Sequence, residues 1–164
     1  MAAVPLEEPE VTDMNEPWTA PPGDGTAVVP IGDVWDVVEA PAETAAWVRQ
    51  LRRVEAPAIV DPRQGRAWWL IPRGSANPTA WVWHRLQPEV IVRTSGSLIV
   101  PHAARSEGLR WVKPQPWCGT YLAQPERLAA VLNVLRSATA ARRASVSPFY
   151  AQAARTRGPM DGYG

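Results

Sequence analysis

The apolar residues in the middle of the chain fall into short runs that alternate with clusters of Pro, Gly, Asp and Ser. Runs rich in Val, Ile and Trp between such turn residues are typical of β-strands. They predict strands over residues 34–39, 58–60, 68–71 and 109–112. Residues 90–93 and 98–100 flank a Thr-Ser-Gly-Ser turn, and this arrangement predicts a β-hairpin.

A first amphipathic helix is predicted from residue 41 to about residue 54. Trp47, Leu51 and Val54 lie at i, i+4 and i+7, which predicts that they form the buried stripe. The arginines of this segment fall toward the opposite side. Pro41 suits the first turn of a helix, where its missing N–H has no partner to lose.

A second helix is predicted from residue 125 to about residue 136. Its apolar stripe consists of Leu128, Val131, Leu132 and Leu135. The predicted order is therefore β-α-β-β-β-β-(β)-α. This order predicts an α+β fold in which a mixed or antiparallel sheet packs against about two helices.

Charge and proline divide the chain into three parts. Residues 1–30 hold six carboxylates and six prolines without any Lys or Arg. Such a composition buries too little apolar surface to offset its ordering entropy, so we expect a disordered head. Residues 31–136 are the predicted domain, and residues 137–164 are the predicted flexible tail. Two interpretations of the head stay open: a solubilising segment, or an acidic segment that folds over the basic body and competes with a polyanionic partner.

Several function classes are excluded or disfavoured by the sequence. No run of 18 apolar residues and no signal peptide pattern occurs, so we expect a soluble, cytoplasmic protein without a membrane partner. Phosphate-binding glycine motifs and a G-x-S-x-G nucleophile motif are also absent. Cys118 is the single cysteine and is expected to be an inert, partly buried thiol. His84 and His102 lack a second histidine at metal-binding spacing, so we expect no metal site; a site shared with Asp36 or Glu39 stays open.

Tryptophan is unusually frequent, with nine residues in 164. The neighbours Trp68 and Trp69 share a predicted strand and must face opposite sides of the sheet. Trp81 and Trp83 alternate in sequence and are expected to share a face. Because exposed rings beside arginine stack on nucleic-acid bases, Trp69, Trp81 and Trp83 are candidates for aromatic contact with a ligand. Packing in the core is the alternative for each ring.

Three short pieces occur in a characteristic order: residues 35–41 (WDVVEAP) before a helix, residues 65–72 (GRAWWLIP), and residues 92–101 (VRTSGSLIVP). In this order they resemble the short primase-polymerase proteins of actinobacteria, which belong to the archaeo-eukaryotic primase superfamily. The resemblance covers residues 33–136. Its third piece is similar to the family's arginine, glycine turn and following strand.

The resemblance implies a catalytic site that this chain does not reproduce. The family uses acidic residues to hold two divalent metals, which clamp the oxygens of phosphoryl transfer, and a histidine that contacts the incoming nucleotide. By the resemblance, the first acidic pair falls near Glu39 and Pro41, the histidine at Ala67, and the third acid at Ile91, two residues from Glu89. One carboxylate is too few to hold two magnesium ions. The resemblance therefore implies a relative that does not polymerise.

The sequence thus predicts a non-catalytic primase-polymerase-like module with weak binding of nucleic acid or nucleotide. Its candidate binding residues lie on predicted turns and strand ends: Arg66, Arg73, Arg93, Arg105, Arg110 and Lys113. Solvated surface charge is the alternative for each of them. No cofactor is expected, and Mg²⁺ enters only in the alternative of an active small nucleotidyltransferase. The further alternative is a protein-interaction or scaffold module whose exposed Trp and Pro-rich segments are the anchors.

Overall fold

Two antiparallel sheets and three helices build the described part of the chain. The structure, a computed structural model, describes residues 17–76 and 81–155, without the side chains of residue 81 and of residues 145–155. In chain order the elements are β1 (Thr26–Pro30), β2 (Trp35–Pro41), α1 (Ala42–Leu51), β3 (Ala58–Asp61), β4 (Arg66–Pro72), α2 (Trp81–His84), β5 (Ile91–Arg93), β6 (Ser97–Pro101), β7 (Arg110–Val112) and α3 (Pro125–Arg155). The α+β fold predicted from the sequence is confirmed.

A five-stranded sheet forms the centre, with the strand order β5-β2-β4-β3-β7. The longest pairing joins β2 and β4, from Trp35 opposite Pro72 to Pro41 opposite Arg66. The second sheet is a two-stranded ribbon of β1 and β6. Every strand pair in the two sheets is antiparallel.

The five-stranded sheet separates two apolar cores. On one face, Val38 and Trp69 pack with the helical residue Leu128, so we name this the helix-side core. On the other face, Trp35 and Trp68 pack with residues of the β1–β6 ribbon, which defines the ribbon-side core. Trp68 and Trp69 therefore face opposite sides of the sheet, as predicted, and both are buried.

An aromatic cluster anchors the ribbon-side core. The ring of Trp18 lies edge-on to Trp35 at 5.8 Å and to Tyr121 at 5.5 Å, and it is tilted against Trp111 at 6.3 Å between ring centroids. The indole N–H of Trp111 donates to the carbonyl of Pro101 at 2.8 Å, which ties β7 to β6. The N-terminal segment from residue 17 is thus attached to the sheet by ring packing.

The prediction of a disordered head over residues 1–30 is wrong for residues 17–30, because these residues belong to the fold. Residues 1–16 lie outside the described residues. Ala20 is buried, Trp18 packs on the ribbon-side core, and β1 pairs with β6 along five residues. The high proline content suggested disorder, but the apolar side chains of this segment cover a sheet face that is otherwise open to water.

The predicted hairpin is wrong. β5 pairs with β2 and β6 pairs with β1, so the two strands on either side of the Thr-Ser-Gly-Ser turn belong to different sheets. At the turn, the N–H of Ile31 donates to the carbonyl of Gly96 at 2.8 Å. β5 thereby extends the five-stranded sheet beyond β2, and β6 forms the separate ribbon with β1.

The first helix is shorter than predicted and buries another face. α1 ends at Leu51, where Arg52 adopts a left-handed backbone with φ +52°. Its buried residues are Ala45 and Val48, whereas Trp47 is 45% exposed. For α3 the predicted start is confirmed, and Leu128, Val131 and Leu132 are buried. This helix continues to Arg155, well beyond the predicted end and into the segment expected to be a flexible tail.

Candidate functional site

A basic cleft of about 980 Å³ opens at the β7 edge of the five-stranded sheet. Its walls are α1, the loop of residues 103–106 after β6, and the chain from β7 to residue 115. Five cations line it: Arg49, Arg52, Arg105, Arg110 and Lys113. None of the lining residues is a carboxylate. We refer to it as the basic cleft.

The small side chains of one face of α1 leave room for this cleft. Ala42, Ala45 and Ala46 line it and are followed one turn later by Arg49. These positions are spaced three, four and seven residues apart, so they lie on one side of the helix. Small apolar side chains of α1 therefore form one wall of the cleft, and the cations Arg49 and Arg52 lie at the C-terminal end of that wall. The two arginines at the end of α1 also lie beside the helix carbonyls, where positive charge is favourable.

The opposite wall is held in place by the N-terminal segment. The N–H groups of His102, Ala103 and Ala104 donate to the carbonyls of Gly25, Pro21 and Gly23 at 2.8 to 2.9 Å. Residues 21–25 thus lie directly along the loop that lines the cleft. The positions of both glycines are tight, because a Cβ on either would lie 3.3 Å from the ring of His102.

Arg105 has mainly a structural role in this wall. Its Nε donates to the carbonyl of Leu109 at 2.9 Å, and its Nη1 donates to the carbonyl of Asp24 at 3.1 Å. These bonds fix the guanidinium across the loop and link it to the N-terminal segment. A guanidinium held in this way still contributes to the positive potential of the cleft.

The other cations of the cleft are less constrained. Arg110 lies opposite Val60 of β3, and its Nη1 donates to the carbonyl of Gly108 at 3.3 Å. The Nζ of Lys113 lies 4.7 Å from the ring centroid of Trp117. Within the described part of the chain, none of the five cations forms an ion pair with a carboxylate. The cleft therefore holds uncompensated positive charge, which favours an anionic ligand.

The structure divides the predicted binding residues between three places. Arg105, Arg110 and Lys113 come together in the basic cleft. Arg66 and Arg93 meet at Glu39 instead, and Arg73 donates to the carbonyl of Asp33 at 3.5 Å. The six predicted binding residues therefore do not share one surface.

Glu39 is the buried carboxylate at which the resemblance places the first acidic residue. Its Oε1 accepts from the indole of Trp68 at 3.1 Å and lies 3.5 Å from the Nε of Arg66. Its Oε2 accepts from both Nε and Nη2 of Arg93, at 3.2 and 3.0 Å. The strand register places Ile91 directly opposite Glu39. These residues do not fit a pair of magnesium ions, since a single carboxylate is present and both of its oxygens are engaged.

Asp36, which the sequence left open as a partner of the histidines, and Glu89, which lies two residues from Ile91 in sequence, are not close to Glu39 in the way a shared metal site requires. Asp36 lies three residues before Glu39 on β2, so the two side chains face opposite sides of the sheet. The Oδ2 of Asp36 accepts from the N–H groups of Gly74 and Ala76 at 2.8 and 3.2 Å. Glu89 precedes β5, and its Oε2 lies 4.0 Å from the Nε of Arg136 in α3. Within the described ranges, no group of three or more His, Cys, Asp and Glu side chains converges.

The aromatic candidates are not ligand contacts in the way we predicted. Trp69 and Trp83 are only 1% and 2% exposed, because each belongs to the helix-side core. Trp83 lies in the short helix α2, and its indole donates to the carbonyl of Ser75 at 3.2 Å. The side chain of Trp81 lies outside the described residues. The rings beside the basic cleft are instead Trp111, which lines it, and Trp117.

Arg49 and Arg52 are the site residues that the sequence reasoning missed. The predicted stripe of Trp47, Leu51 and Val54 placed these arginines toward the opposite side of the helix, and they were not among the candidate binding residues. The run of small residues at Ala42, Ala45 and Ala46 is the signal that could have located this wall, because an alanine face cannot fill the space beside a sheet edge.

Cys118 is exposed, so the prediction of a partly buried thiol is wrong. Its Sγ lies 3.4 Å from the Oγ1 of Thr120. Hydrogen bonding to the side chain and backbone of Thr120 lowers the pKa of the Cys118 thiol from its ordinary value.

Comparisons with known proteins do not place the chain in a family. Searches against protein-family models, curated proteins and solved structures gave no significant match. Among the helices that the structure describes, none is both long and apolar enough to span a bilayer.

Proposed function

We propose that the protein is a non-catalytic primase-polymerase-like module that binds the phosphate backbone of a nucleic acid in the basic cleft. The observation that carries this proposal is the convergence of five cations from three separate segments on one cleft without a carboxylate. Phosphate groups provide most of the affinity in such complexes, because cations that contact them release condensed counterions.

Two further features of the cleft support a nucleic-acid ligand. Its volume of about 980 Å³ and its opening to solvent suit a short segment of a nucleic-acid strand. The ring of Trp117 lies beside Lys113, so that an aromatic surface and a cation adjoin each other. Single-stranded nucleic acids bind to such combinations of basic grooves and aromatic rings.

The non-catalytic part of the proposal rests on Glu39. Its carboxylate is paired with Arg66 and Arg93 and accepts from Trp68, which leaves no free oxygen for a metal. The cations that surround it are thereby partly neutralised. We therefore assign binding to the basic cleft and a structural role to the residues around Glu39.

Fluorescence anisotropy of a labelled single-stranded oligonucleotide tests the proposed function. Binding to the full chain should weaken steeply between about 50 and 200 mM salt, with a log–log slope near −0.7 for each phosphate contact. The double variant Arg49→Gln/Arg110→Gln removes a cation from each side of the cleft. It should weaken binding at least tenfold and reduce the slope by about 1.4, if two phosphate contacts are lost.

A matched control carries the same charge change away from the cleft. Arg63 in the β3–β4 turn and Arg73 after β4 are exposed and do not line the cleft. Arg63→Gln/Arg73→Gln should retain affinity within about twofold, since screening weakens the effect of distant charges. Equal losses in the two double variants, or no binding by the unaltered chain, would refute the proposal.

A protein-interaction module is the second candidate, and an exposed apolar surface favours it. Leu51 of α1 and Val134 of α3 are 40% and 58% exposed and line a groove of about 510 Å³ between these helices. Trp47 is exposed on the same helix as Leu51. The partner tested here is a second copy of the same chain. Sedimentation velocity should then show association that Val134→Asp abolishes, whereas a monomer at every concentration would contradict self-association through this surface.

A further inference from the structure

Arg52 lies at the boundary between the basic cleft and a second cavity. That cavity is the groove of about 510 Å³ between α1 and α3. Arg52 follows the last residue of α1, Leu51, and lines both the cleft and the groove. The two cavities therefore meet at the C-terminal end of α1.

The groove carries positive charge of its own. Arg53 and Arg127 line it together with Arg52, and all three side chains are exposed. No carboxylate is among its lining residues. Arg127 is partly compensated, because its Nη1 lies 3.3 Å from the Oε2 of Glu55, but no ion pair among the described residues involves Arg52 or Arg53. The positive potential of the cleft therefore continues past the end of α1.

Apolar side chains lie between these cations. Leu51 and Val134 line the groove and are exposed. On α3, the lining residues Arg127, Ala130 and Val134 are three and four residues apart, so they share one face of the helix. A nucleic-acid strand carries both anionic phosphates and apolar base faces, and side chains with apolar or aromatic surfaces contact such faces. A groove with both kinds of surface therefore suits a strand.

The backbone of Arg52 shows that a large side chain is kept at this boundary at a steric cost. Its φ is +52°, and it is the only residue other than glycine with a positive φ in the part of the chain that the structure describes. Its N–H donates to the carbonyl of Arg49 at 3.3 Å and closes the end of α1. Glycine is the usual residue at such a position, because a Cβ is unfavourable in the left-handed region. Strain of this kind is typical of residues with a functional role.

We infer that a nucleic-acid strand bound in the basic cleft continues past Arg52 into the groove between α1 and α3. This path rests on the proposed function of the cleft, which provides the first phosphate contacts. It identifies the ligand as a single strand that is longer than the cleft alone can hold. A free nucleotide or a very short oligonucleotide would occupy the cleft only.

The dependence of binding on strand length tests this path in the full chain. Fluorescence anisotropy with labelled oligothymidylates of about 4 and about 12 nucleotides compares a ligand for one cavity with a ligand for both. The slope of log affinity against log salt is the readout, because a longer strand also offers more registers and binds more tightly without any new contact. The slope should be steeper for the long strand by about 1.4, which corresponds to two further phosphate contacts. Equal slopes would overturn the inference.

A double variant in the groove locates the additional contacts. Arg53→Gln/Arg127→Gln removes the two cations that line the groove but not the cleft. It should weaken binding of the long strand about threefold to tenfold and remove the excess slope, while the short strand binds as it does to the unaltered chain. Unchanged binding of the short strand also shows that the variant is folded. A groove variant that weakens both strands equally, or neither, would contradict the path.

The matched control makes the same charge change outside both cavities. Arg63 and Arg73 line neither the cleft nor the groove. Arg63→Gln/Arg73→Gln should alter the affinity for either strand by less than about twofold, since screening limits the effect of distant charges. A loss as large as that of the groove variant would show a general effect of net charge and would rule out the path.

Arg52→Gly separates the binding role of this residue from a structural one. Glycine adopts the left-handed backbone without a steric cost, so the thermal midpoint of unfolding should rise. Binding of both strands should nevertheless weaken, because the cation between the two cavities is lost. A higher thermal midpoint with unchanged affinity for the long strand would refute the role of Arg52 in the path.

Failure of the path and failure of the proposed function give different results. If Arg49→Gln/Arg110→Gln weakens binding of both strands but the groove variant weakens neither, the path fails and the proposed function stands. If neither strand binds to the unaltered chain, the proposed function fails and the path fails with it. If the groove variant changes the sedimentation velocity of the chain but not its affinity for the long strand, the groove is a contact between copies of the chain and the path fails.

Discussion

Replacement of Trp18 by alanine tests whether residues 17–30 are an integral part of the fold. Trp18 makes edge-on contacts with Trp35 and Tyr121 and a tilted contact with Trp111. Each favourable aromatic pair contributes about 0.5 to 1.5 kcal/mol beyond its buried area. A fully buried Trp→Ala change costs about 3 to 5 kcal/mol. Because Trp18 is only half-buried, we expect a loss of about 2 to 3 kcal/mol in the free energy of unfolding.

Urea unfolding followed by far-ultraviolet circular dichroism measures this loss without relying on tryptophan fluorescence. With an m-value of about 2 kcal/mol/M, the midpoint should fall by about 1 to 1.5 M. Trp18→Phe retains a ring and should show an intermediate shift. A folded domain of this size has about 5 to 15 kcal/mol of stability, so the variant should remain folded in water.

Trp47→Ala is the matched control, since it removes the same side chain from a surface position. Trp47 is 45% exposed, and its described ring contact is with Arg142, whose guanidinium lies 5.5 Å from the ring centroid. An exposed cation–π contact contributes about 0.5 to 1 kcal/mol, so the midpoint should shift by less than half as much. Equal shifts for Trp18→Ala and Trp47→Ala would refute the assignment of residues 17–30 to the fold.

Three further predictions concern individual positions. Gly32 has φ +95°, and a Cβ at this position would lie 2.2 Å from the backbone oxygen of Thr94. Gly32→Ala should therefore lower the thermal midpoint of unfolding far more than Gly96→Ala, because a Cβ on Gly96 meets no atom within 4 Å at a similar φ of +94°. Similar midpoints for the two variants would contradict this. Glu39→Gln removes a buried charge from two arginines and should lower the free energy of unfolding in urea by about 1 to 3 kcal/mol, whereas an unchanged value would show that the ion pairs are not stabilising. Thr120→Val removes a hydrogen bond that lowers the pKa of the Cys118 thiol, so the pH midpoint of its alkylation rate should rise, and an unchanged midpoint would rule out this cause.

The strands and the start of α3 could be predicted because their signals are local. The runs that became β3, β4 and β7 are bounded by turn residues, and the adjacent Trp68 and Trp69 could only face opposite sides of a strand. Pro125 and the stripe from Leu128 likewise define the start of α3 and its buried face.

Strand pairing and the cleft could not be predicted, because they depend on contacts between distant parts of the chain. The turn before Ser97 has the composition of a hairpin, yet the partner of β6 is β1, more than sixty residues earlier in the chain. The basic cleft joins Arg49 of α1 to Arg110 of β7, and no local pattern relates these two positions. Its location follows only from the strand order, which places β7 at the sheet edge.

The pairing of β1 with β6 also determines the order in which the molecule is completed during synthesis. The partner of Thr26 is Pro101, so β1 leaves the ribosome long before β6 exists. At 5 to 20 residues per second, this delay is roughly 4 to 15 s. During it, Trp18 and the apolar side chains of β1 have no ribbon to join and remain available to chaperones. The loop from His102 to Arg105 is bound by residues 21–25, so the basic cleft gains this wall only when these residues, which are made before β6, pack against the completed sheet.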